Sequence, residues 1–139
     1  MSLSIRNQIA GTVTAVTAGE AMATVKVRLD GGQDITAAIT VDAVKDLGLS
    51  QGDAVKALVK ATEVALATGP VDGISIRNQI AGTVADVSAG PAMASVKVDV
   101  NGGSLTAAIT ADAVEALGLA AGSAVTVLIK STEISLATA

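Results

Sequence analysis

The sequence predicts a mainly β protein that contains the same small domain twice in tandem. The decapeptide SIRNQIAGTV occurs at residues 4–13 and again, unchanged, at residues 75–84. Half of the 139 residues are apolar, although the chain contains no Phe, Tyr or Trp. Several stretches alternate apolar and polar residues with a period of two, which is typical of a strand with one buried face. These observations indicate two copies of one β domain with cores of Ala, Val, Ile and Leu.

The repeat extends over almost the full length of both halves. Further motifs shared by the two copies are AMAxVKV, TAAIT, LGL and KxTE, and they occur in the same order. The offset falls from 71 to 70 residues beside a Gly-Gly pair, as expected for a deletion at a hairpin tip. We therefore predict a first domain at residues 1–68, a linker at 69–73 and a second domain at 74–139. The linker is short, so the two domains are expected to pack as one unit.

Each copy is predicted to form five strands. Val25, Val27 and Leu29 alternate with polar residues and should face the core. In the first copy the strands are expected at residues 3–16 (as one strand or two), 24–29, 35–40, 54–60 and 64–68.

One short helix is predicted between the third and fourth strands. It should span Val41–Leu47, with Thr40 as its N-cap and Gly48 as its C-terminal stop. Five strands with a helix in this place are the layout of an OB-type Greek-key barrel. The predicted fold class is therefore mainly β, with two tandem OB-like five-stranded barrels that each carry one short helix.

Size and composition also predict self-association and exclude several classes of function. A domain of about 70 residues without aromatic side chains buries little apolar area, so we expect copies to pack together. The formal net charge of −4 gives no general attraction to nucleic acid or anionic membranes. No signal peptide or membrane-spanning stretch is visible, which indicates a cytoplasmic protein.

The sequence offers little for catalysis or for binding a metal cation. Cysteine and histidine are both absent, which removes thiolate and imidazole ligands and the usual general base. The acidic positions present in both copies are Asp42 with Glu63, and Asp112 with Glu133. We interpret them as helix N-terminal charges and surface partners of lysines. The chain is therefore predicted not to be an enzyme.

Three cationic positions recur in both copies. They are Arg6, Lys26 and Lys60, which reappear as Arg77, Lys97 and Lys130. Lys26 and Lys97 alternate outward on a strand, where a solvated charge is the usual role. An Arg and a Lys from opposite ends of the domain can present N–H donors to a dianion if they meet across a strand pair or a subunit boundary. Spacing alone favours the simpler alternative that both are surface charges.

The motifs together resemble the Mop or molbindin domain, which also occurs in molybdate transport ATPases and molybdate-responsive regulators. SxRNQ near the start, AIT before a short helix, LGL before the fourth strand and Kx[ST] before the last strand carry the resemblance. A chain with two such domains is similar to the storage form of this family. The resemblance implies a homotrimer of six domains that binds an oxyanion at domain boundaries.

Ten positions of this chain match the oxyanion-binding residues of that family. They are Ser4, Arg6, Thr40, Lys60 and Ala61 in the first copy, and Ser75, Arg77, Thr110, Lys130 and Ser131 in the second. Many members have Ser three residues after the Thr, where this chain has Ala43 and Ala113. The residue after the Lys is Ala in one copy and Ser in the other. The two classes of site are therefore expected to differ in affinity.

The expected ligand is molybdate, and tungstate as well. Both are dianions without a proton at neutral pH, so a site made of donors suits them, whereas phosphate keeps a proton that needs an acceptor. The expected function is storage or buffering of the oxyanion, without a cofactor or catalytic residue. One alternative is an OB-type interaction module, although nucleic-acid binding on such barrels uses aromatics and a basic groove. The other is a structural module that has lost the site, which the alanines at 43 and 113 favour.

Overall fold

The computed structural model describes residues 2–139, which form ten strands and two short α-helices. The first repeat contains β1 (Asn7–Ala18), β2 (Met22–Leu29), β3 (Asp34–Thr40), α1 (Val41–Leu47), β4 (Ala54–Val59) and β5 (Ala65–Ala67). The second contains β6 (Asn78–Ala89), β7 (Met93–Val100), β8 (Gly103–Thr110), α2 (Ala111–Leu117), β9 (Ala124–Ile129) and β10 (Ser135–Thr138). A 3-10 turn follows β4 at Ala61–Glu63 and β9 at Ser131–Glu133. The predicted mainly β fold class is confirmed.

Both helices begin and end as the sequence predicts. Thr40 Oγ accepts a hydrogen bond from the Ala43 N–H at 3.0 Å, which caps the first turn of α1. Gly48 ends the helix in the left-handed region, with φ of 62°. Thr110 and Gly118 do the same for α2.

Each five-stranded sheet takes one edge strand from the other repeat. The first sheet has the order β10-β4-β1-β2-β3, and the second has the order β5-β9-β6-β7-β8. Leu136 of β10 lies opposite Ala57, and Leu66 of β5 lies opposite Val127. Residues 64–68 were expected to complete the strands of the first domain, but they add to the second sheet. After β4 the chain crosses to the other repeat, where the turn Ala61–Glu63 packs against β8.

A bulge and a glycine let the long first strand curl each sheet. β1 pairs with β4 through Asn7–Thr12 and with β2 through Gly11–Ala18, and the register shifts between Val13 and Ala15. At Gly11 a Cβ would lie 2.7 Å from the Arg28 carbonyl oxygen, so only glycine allows this close crossing. The curled sheet brings its edge strands β3 and β10 into contact.

One aliphatic core runs through both repeats. The inward residues of β2, including Val25 and Val27, belong to the same buried cluster as Val96 and Val98 of β7. Leu29 is buried as well, as its alternation predicts. The repeats therefore share a core, as expected from the short linker. None of the helices in residues 2–139 has the length and apolar character needed to cross a membrane.

The β2–β3 and β7–β8 hairpin tips meet at the boundary between the repeats. Gln33 Nε2 donates to the Asn101 carbonyl oxygen at 2.9 Å. A Cβ added at Gly31 would overlap the same carbonyl oxygen, and one added at Gly102 would lie 2.7 Å from Gly31 Cα. The absence of side chains at these glycines permits the contact.

We expect Gly31→Ala to lower the free energy of unfolding by about 1–3 kcal/mol, because the new methyl group forces the two tips apart. Gly103→Ala is the matched control, since no atom lies within 4 Å of its added Cβ and its φ is not positive. Urea unfolding followed by far-UV circular dichroism measures both. Equal stability of the two variants would contradict the packed tip-to-tip contact.

Candidate functional site

The segment before β1 folds back on itself and orients Arg6. The guanidinium donates from Nε to the Ser4 carbonyl oxygen and from Nη2 to the Leu3 carbonyl oxygen, both at 3.1 Å. Arg77 makes the same two bonds within its own segment, at 3.4 and 3.0 Å. Ser4, Ser75 and both arginines are exposed. A guanidinium has five N–H donors, so two orient each arginine and three remain for a ligand.

The strand register places Arg6 next to Lys60. Asn7 pairs with Val59 across the antiparallel strands β1 and β4. Arg6 precedes Asn7 and Lys60 follows Val59. Because the strands are antiparallel, Arg6 and Lys60 lie opposite each other, one position beyond the Asn7–Val59 pair. In the second repeat Asn78 pairs with Ile129, which puts Arg77 next to Lys130 in the same way. Each repeat therefore brings an arginine and a lysine to one end of a strand pair.

Two buried asparagines hold these strand ends against the other repeat. Asn7 is 3% exposed; it donates from Nδ2 to the Thr106 carbonyl oxygen at 2.9 Å and accepts at Oδ1 from the Thr106 N–H at 2.8 Å. Asn78, 1% exposed, makes the same two bonds with Thr36, at 2.9 and 2.8 Å. Each side-chain amide thus bonds both backbone groups of a residue in β8 or β3, as a neighbouring strand would. Both Arg–Lys pairs consequently lie at boundaries between the repeats.

Sequence reasoning included these asparagines in a motif but gave them no role. A signal was present, because Asn7 has the same inward parity in β1 as Gly11 and Val13. A polar amide at an inward position requires hydrogen-bond partners. Periodicity does not show that the partner is the backbone of the other repeat.

The residues that follow Lys60 and Lys130 also lie at the boundaries. The turn Ala61–Glu63 contacts β8, and the turn Ser131–Glu133 contacts β3. Lys60 and Lys130 have nearly identical backbone angles, with φ and ψ of −66° and 141° in the first and −65° and 140° in the second. Ala61 and Ser131 are both half-buried. The two boundaries therefore differ by one hydroxyl group at an otherwise equivalent position.

Thr40 and Thr110 occupy equivalent positions at the ends of β3 and β8. Thr40 lies four residues beyond Thr36 on β3, about 13 Å along an extended strand. No side-chain hydrogen bond within residues 2–139 joins either threonine to an arginine or lysine. The backbone N–H groups of Ala43 and Ala113 bond the two capping hydroxyls at 3.0 Å. These N–H groups are thus already used inside the chain.

A cavity of about 150 Å³ adjoins Lys60 but does not suit a dianion. Glu63 and Glu133, one from each repeat, line it together with Lys60. Two acidic side chains beside one ammonium group oppose the entry of a negative ligand. Anion binding inside this cavity is therefore disfavoured.

The one ion pair within residues 2–139 lies on the β2–β3 hairpin. Arg28 donates from Nε and Nη2 to the Asp34 carboxylate at 2.8 and 2.9 Å. These hydrogen bonds lower the pKa of Asp34 and raise the pKa of Arg28. The second repeat has Asp99 opposite Ser104 instead. No group of three or more acidic side chains within residues 2–139 is arranged to hold a metal ion.

Similar proteins have names that refer to molybdenum or molybdate. The TOBE domain model matches residues 3–66 and 74–136. The molybdenum transport protein ModE of Azotobacter vinelandii is 41% identical over 138 residues, which are 99% of this chain and 51% of that protein. The molybdenum-pterin-binding protein MopA of Rhodobacter capsulatus is 41% identical over 139 residues, 99% of this chain and 52% of that protein. The chain thus spans about half the length of these curated relatives.

A solved structure matches the whole chain. The cytoplasmic molybdate-binding protein ModG, with molybdate bound, superposes with a TM-score of 0.97 at 35% identity, and the match covers 100% of both chains. Together with MopA, it confirms the resemblance to the Mop family that the motifs indicate.

Proposed function

Since the chain belongs to the TOBE domain family and contains that domain twice, we propose that it binds molybdate and tungstate at the boundaries between its repeats. The observation that carries the proposal is the placement of Arg6 beside Lys60, and of Arg77 beside Lys130, at strand ends held against the other repeat. The protein stores or buffers the oxyanion in the cytoplasm and performs no catalytic step. ModG, which matches it over the full length, is described as a cytoplasmic molybdate-binding protein and supports this role.

The donors at each boundary suit a fully deprotonated dianion. Arg6 keeps three N–H donors beyond those that orient it, and Lys60 contributes an ammonium group. Charge-assisted hydrogen bonds of this kind are stronger than neutral ones. The Ser4 hydroxyl and the backbone N–H of Ala61 complete the proposed set in the first repeat, and Ser75 and Ser131 correspond to them in the second.

We propose that a homotrimer completes each site. Thr40 and Thr110 cap the helices, and in the proposed assembly they join a site from a neighbouring copy. Exposed apolar side chains support such an assembly. They include Leu3, Met22, Ile74 and Met93, which are 36%, 48%, 37% and 49% exposed.

Calorimetric titration of the anion-free protein tests the function. We expect heat of binding with molybdate and tungstate, weaker heat with sulfate and phosphate, and molybdenum retained after gel filtration of the complex. The absence of heat with all four oxyanions would contradict the proposal and favour a structural module.

Replacing Arg6 and Arg77 by Ala together should weaken molybdate binding by about 10- to 100-fold, because hydrogen bonds to a charged group are worth about 1.5–3 kcal/mol. Arg28→Ala is the control, since it also removes an exposed guanidinium, but one that is paired with Asp34 and does not lie beside a strand-end lysine. Calorimetry measures the affinities, and far-UV circular dichroism checks the fold. An equal loss in the control would mean that only overall charge matters, and unchanged binding in the double variant would place the site elsewhere.

A further inference from the structure

A cavity of about 160 Å³ lies between the two repeats, beside the β2–β3 and β7–β8 hairpin tips. Part of its wall is aliphatic, since Leu29, Ile80 and Leu105 line it and are 3%, 3% and 1% exposed. An apolar cavity of about 150 Å³ can hold a benzene molecule, so this one has room for a single six-membered ring. None of the residues proposed to bind the oxyanion lines it.

The tip of the first hairpin places an unused acceptor at this cavity. Gln33 lines the cavity, and its Oε1 is enclosed and has no hydrogen-bond partner within residues 2–139. This oxygen lies next to Gly31, another lining residue, because a Cβ added there would be 2.7 Å from it. Nε2 of the same amide is held by the Asn101 carbonyl oxygen, which fixes the orientation of the group. A buried carbonyl oxygen without a partner reduces stability, so a donor on a bound molecule would supply what the fold does not.

The charge around the cavity favours a cation. Asp30 lines it and is exposed, whereas no lysine or arginine within residues 2–139 lines it. An ammonium group is attracted to this carboxylate, and it carries N–H donors but no acceptor. It therefore meets both requirements of the site, a positive charge for Asp30 and a donor for Gln33 Oε1.

We propose that this cavity binds a small organic cation, a primary amine carried on a single ring. The ring lies against Leu29, Ile80 and Leu105, the ammonium group faces Asp30, and one of its N–H groups donates to Gln33 Oε1. The site is separate from the strand-end Arg–Lys pairs and does not depend on the proposed function. The chain thus has a second ligand site with the opposite charge preference.

Titration of the full chain with benzylamine, followed by methyl NMR spectroscopy, tests the proposal. The chain has no aromatic residue, so every ring-current shift comes from the probe. We expect saturable shifts of the methyl signals of Leu29, Ile80 and Leu105. Benzyl alcohol should bind up to about 5-fold more weakly, because it lacks the charge, and benzoate should not bind.

Three results of this titration would overturn the proposal. They are shifts that do not saturate, binding of benzoate as strong as that of benzylamine, and shifts confined to Leu58. Leu58 lines the other cavity together with Glu63 and Glu133, so shifts there alone would mean that the probe binds to those carboxylates.

Asp30→Asn tests the charge. It should weaken benzylamine binding to the level of benzyl alcohol and leave benzyl alcohol binding unchanged. The fold accepts this residue, because Asn101 occupies the equivalent position of the second repeat. Asp46→Asn is the matched control, since it removes an exposed carboxylate from α1, which does not line the cavity. An equal loss in both variants would show that only the net charge matters and would overturn the proposal.

Gln33→Met tests the acceptor, because it removes the amide with little change in size. It should weaken benzylamine and benzyl alcohol alike by about 2- to 10-fold. Gln79→Met is the control, since Gln79 is exposed, bonds the Ile76 carbonyl oxygen and does not line the cavity. Far-UV circular dichroism checks that both variants are folded. Unchanged binding in folded Gln33→Met would overturn the proposed arrangement.

Discussion

Asn7→Ala should lower the free energy of unfolding by about 2–4 kcal/mol, because it leaves the N–H and carbonyl oxygen of Thr106 without their partners. The side chain is almost fully buried, so water does not replace the lost bonds readily. Asn78→Ala should lower the free energy of unfolding by a similar amount, because the Thr36 N–H and carbonyl oxygen lose the same two bonds. A domain of this kind is stable by only about 5–15 kcal/mol. The double variant is therefore expected to be largely unfolded in dilute urea.

Urea unfolding followed by far-UV circular dichroism measures this effect, since the chain has no aromatic fluorophore. Gln8→Ala is the matched control. It removes the neighbouring amide, which is exposed and makes one local bond to the Ile5 carbonyl oxygen at 3.2 Å. Asn7→Asp is a second probe, because it keeps the shape but removes the Nδ2 donor. If Asn7→Ala costs no more than Gln8→Ala, the asparagines do not hold the repeats together.

Ending the chain at Ile134 should destabilise the first repeat, although the deleted residues belong to the second. The truncation removes β10, including Leu136 opposite Ala57, and leaves the edge of β4 unpaired. Loss of the strand hydrogen bonds and of a half-buried leucine should cost about 4 kcal/mol or more. An open strand edge also invites pairing with another chain, so we expect dimers or aggregates.

Hydrogen exchange read by mass spectrometry locates the effect of this truncation. We expect faster exchange in β4, while β9 keeps its protection because β5 still covers it. A chain that ends at Thr138 is the control, since it keeps β10 and loses only a 3.3 Å bond from Ala139 to Ala54. Loss of protection confined to β9 would contradict the exchange of strands between the repeats.

Much of the candidate site was predictable, but its assembly was not. The motifs selected Arg6 and Lys60, and the register of β1 and β4 places them side by side. The same motifs selected Thr40, which lies about 13 Å beyond Thr36 along β3. A sequence motif gives the identities of the site residues, but not whether one chain or several chains bring them together. The role of Asn7 escaped prediction because its partner lies 99 residues away in sequence.

The sequence by itself determined the duplication, the inward faces of the strands and both ends of each helix. These features depend on residues within a few positions of one another, such as Thr40 and the Ala43 N–H that it caps. Only the tertiary structure decided which sheet receives the last strand of each repeat. The two candidate edges are β4, with the sequence AVKALV, and β9, with the sequence AVTVLI. Because these edges are so similar, no local pattern distinguishes them, and the path of the chain through the turn after β4 makes the choice.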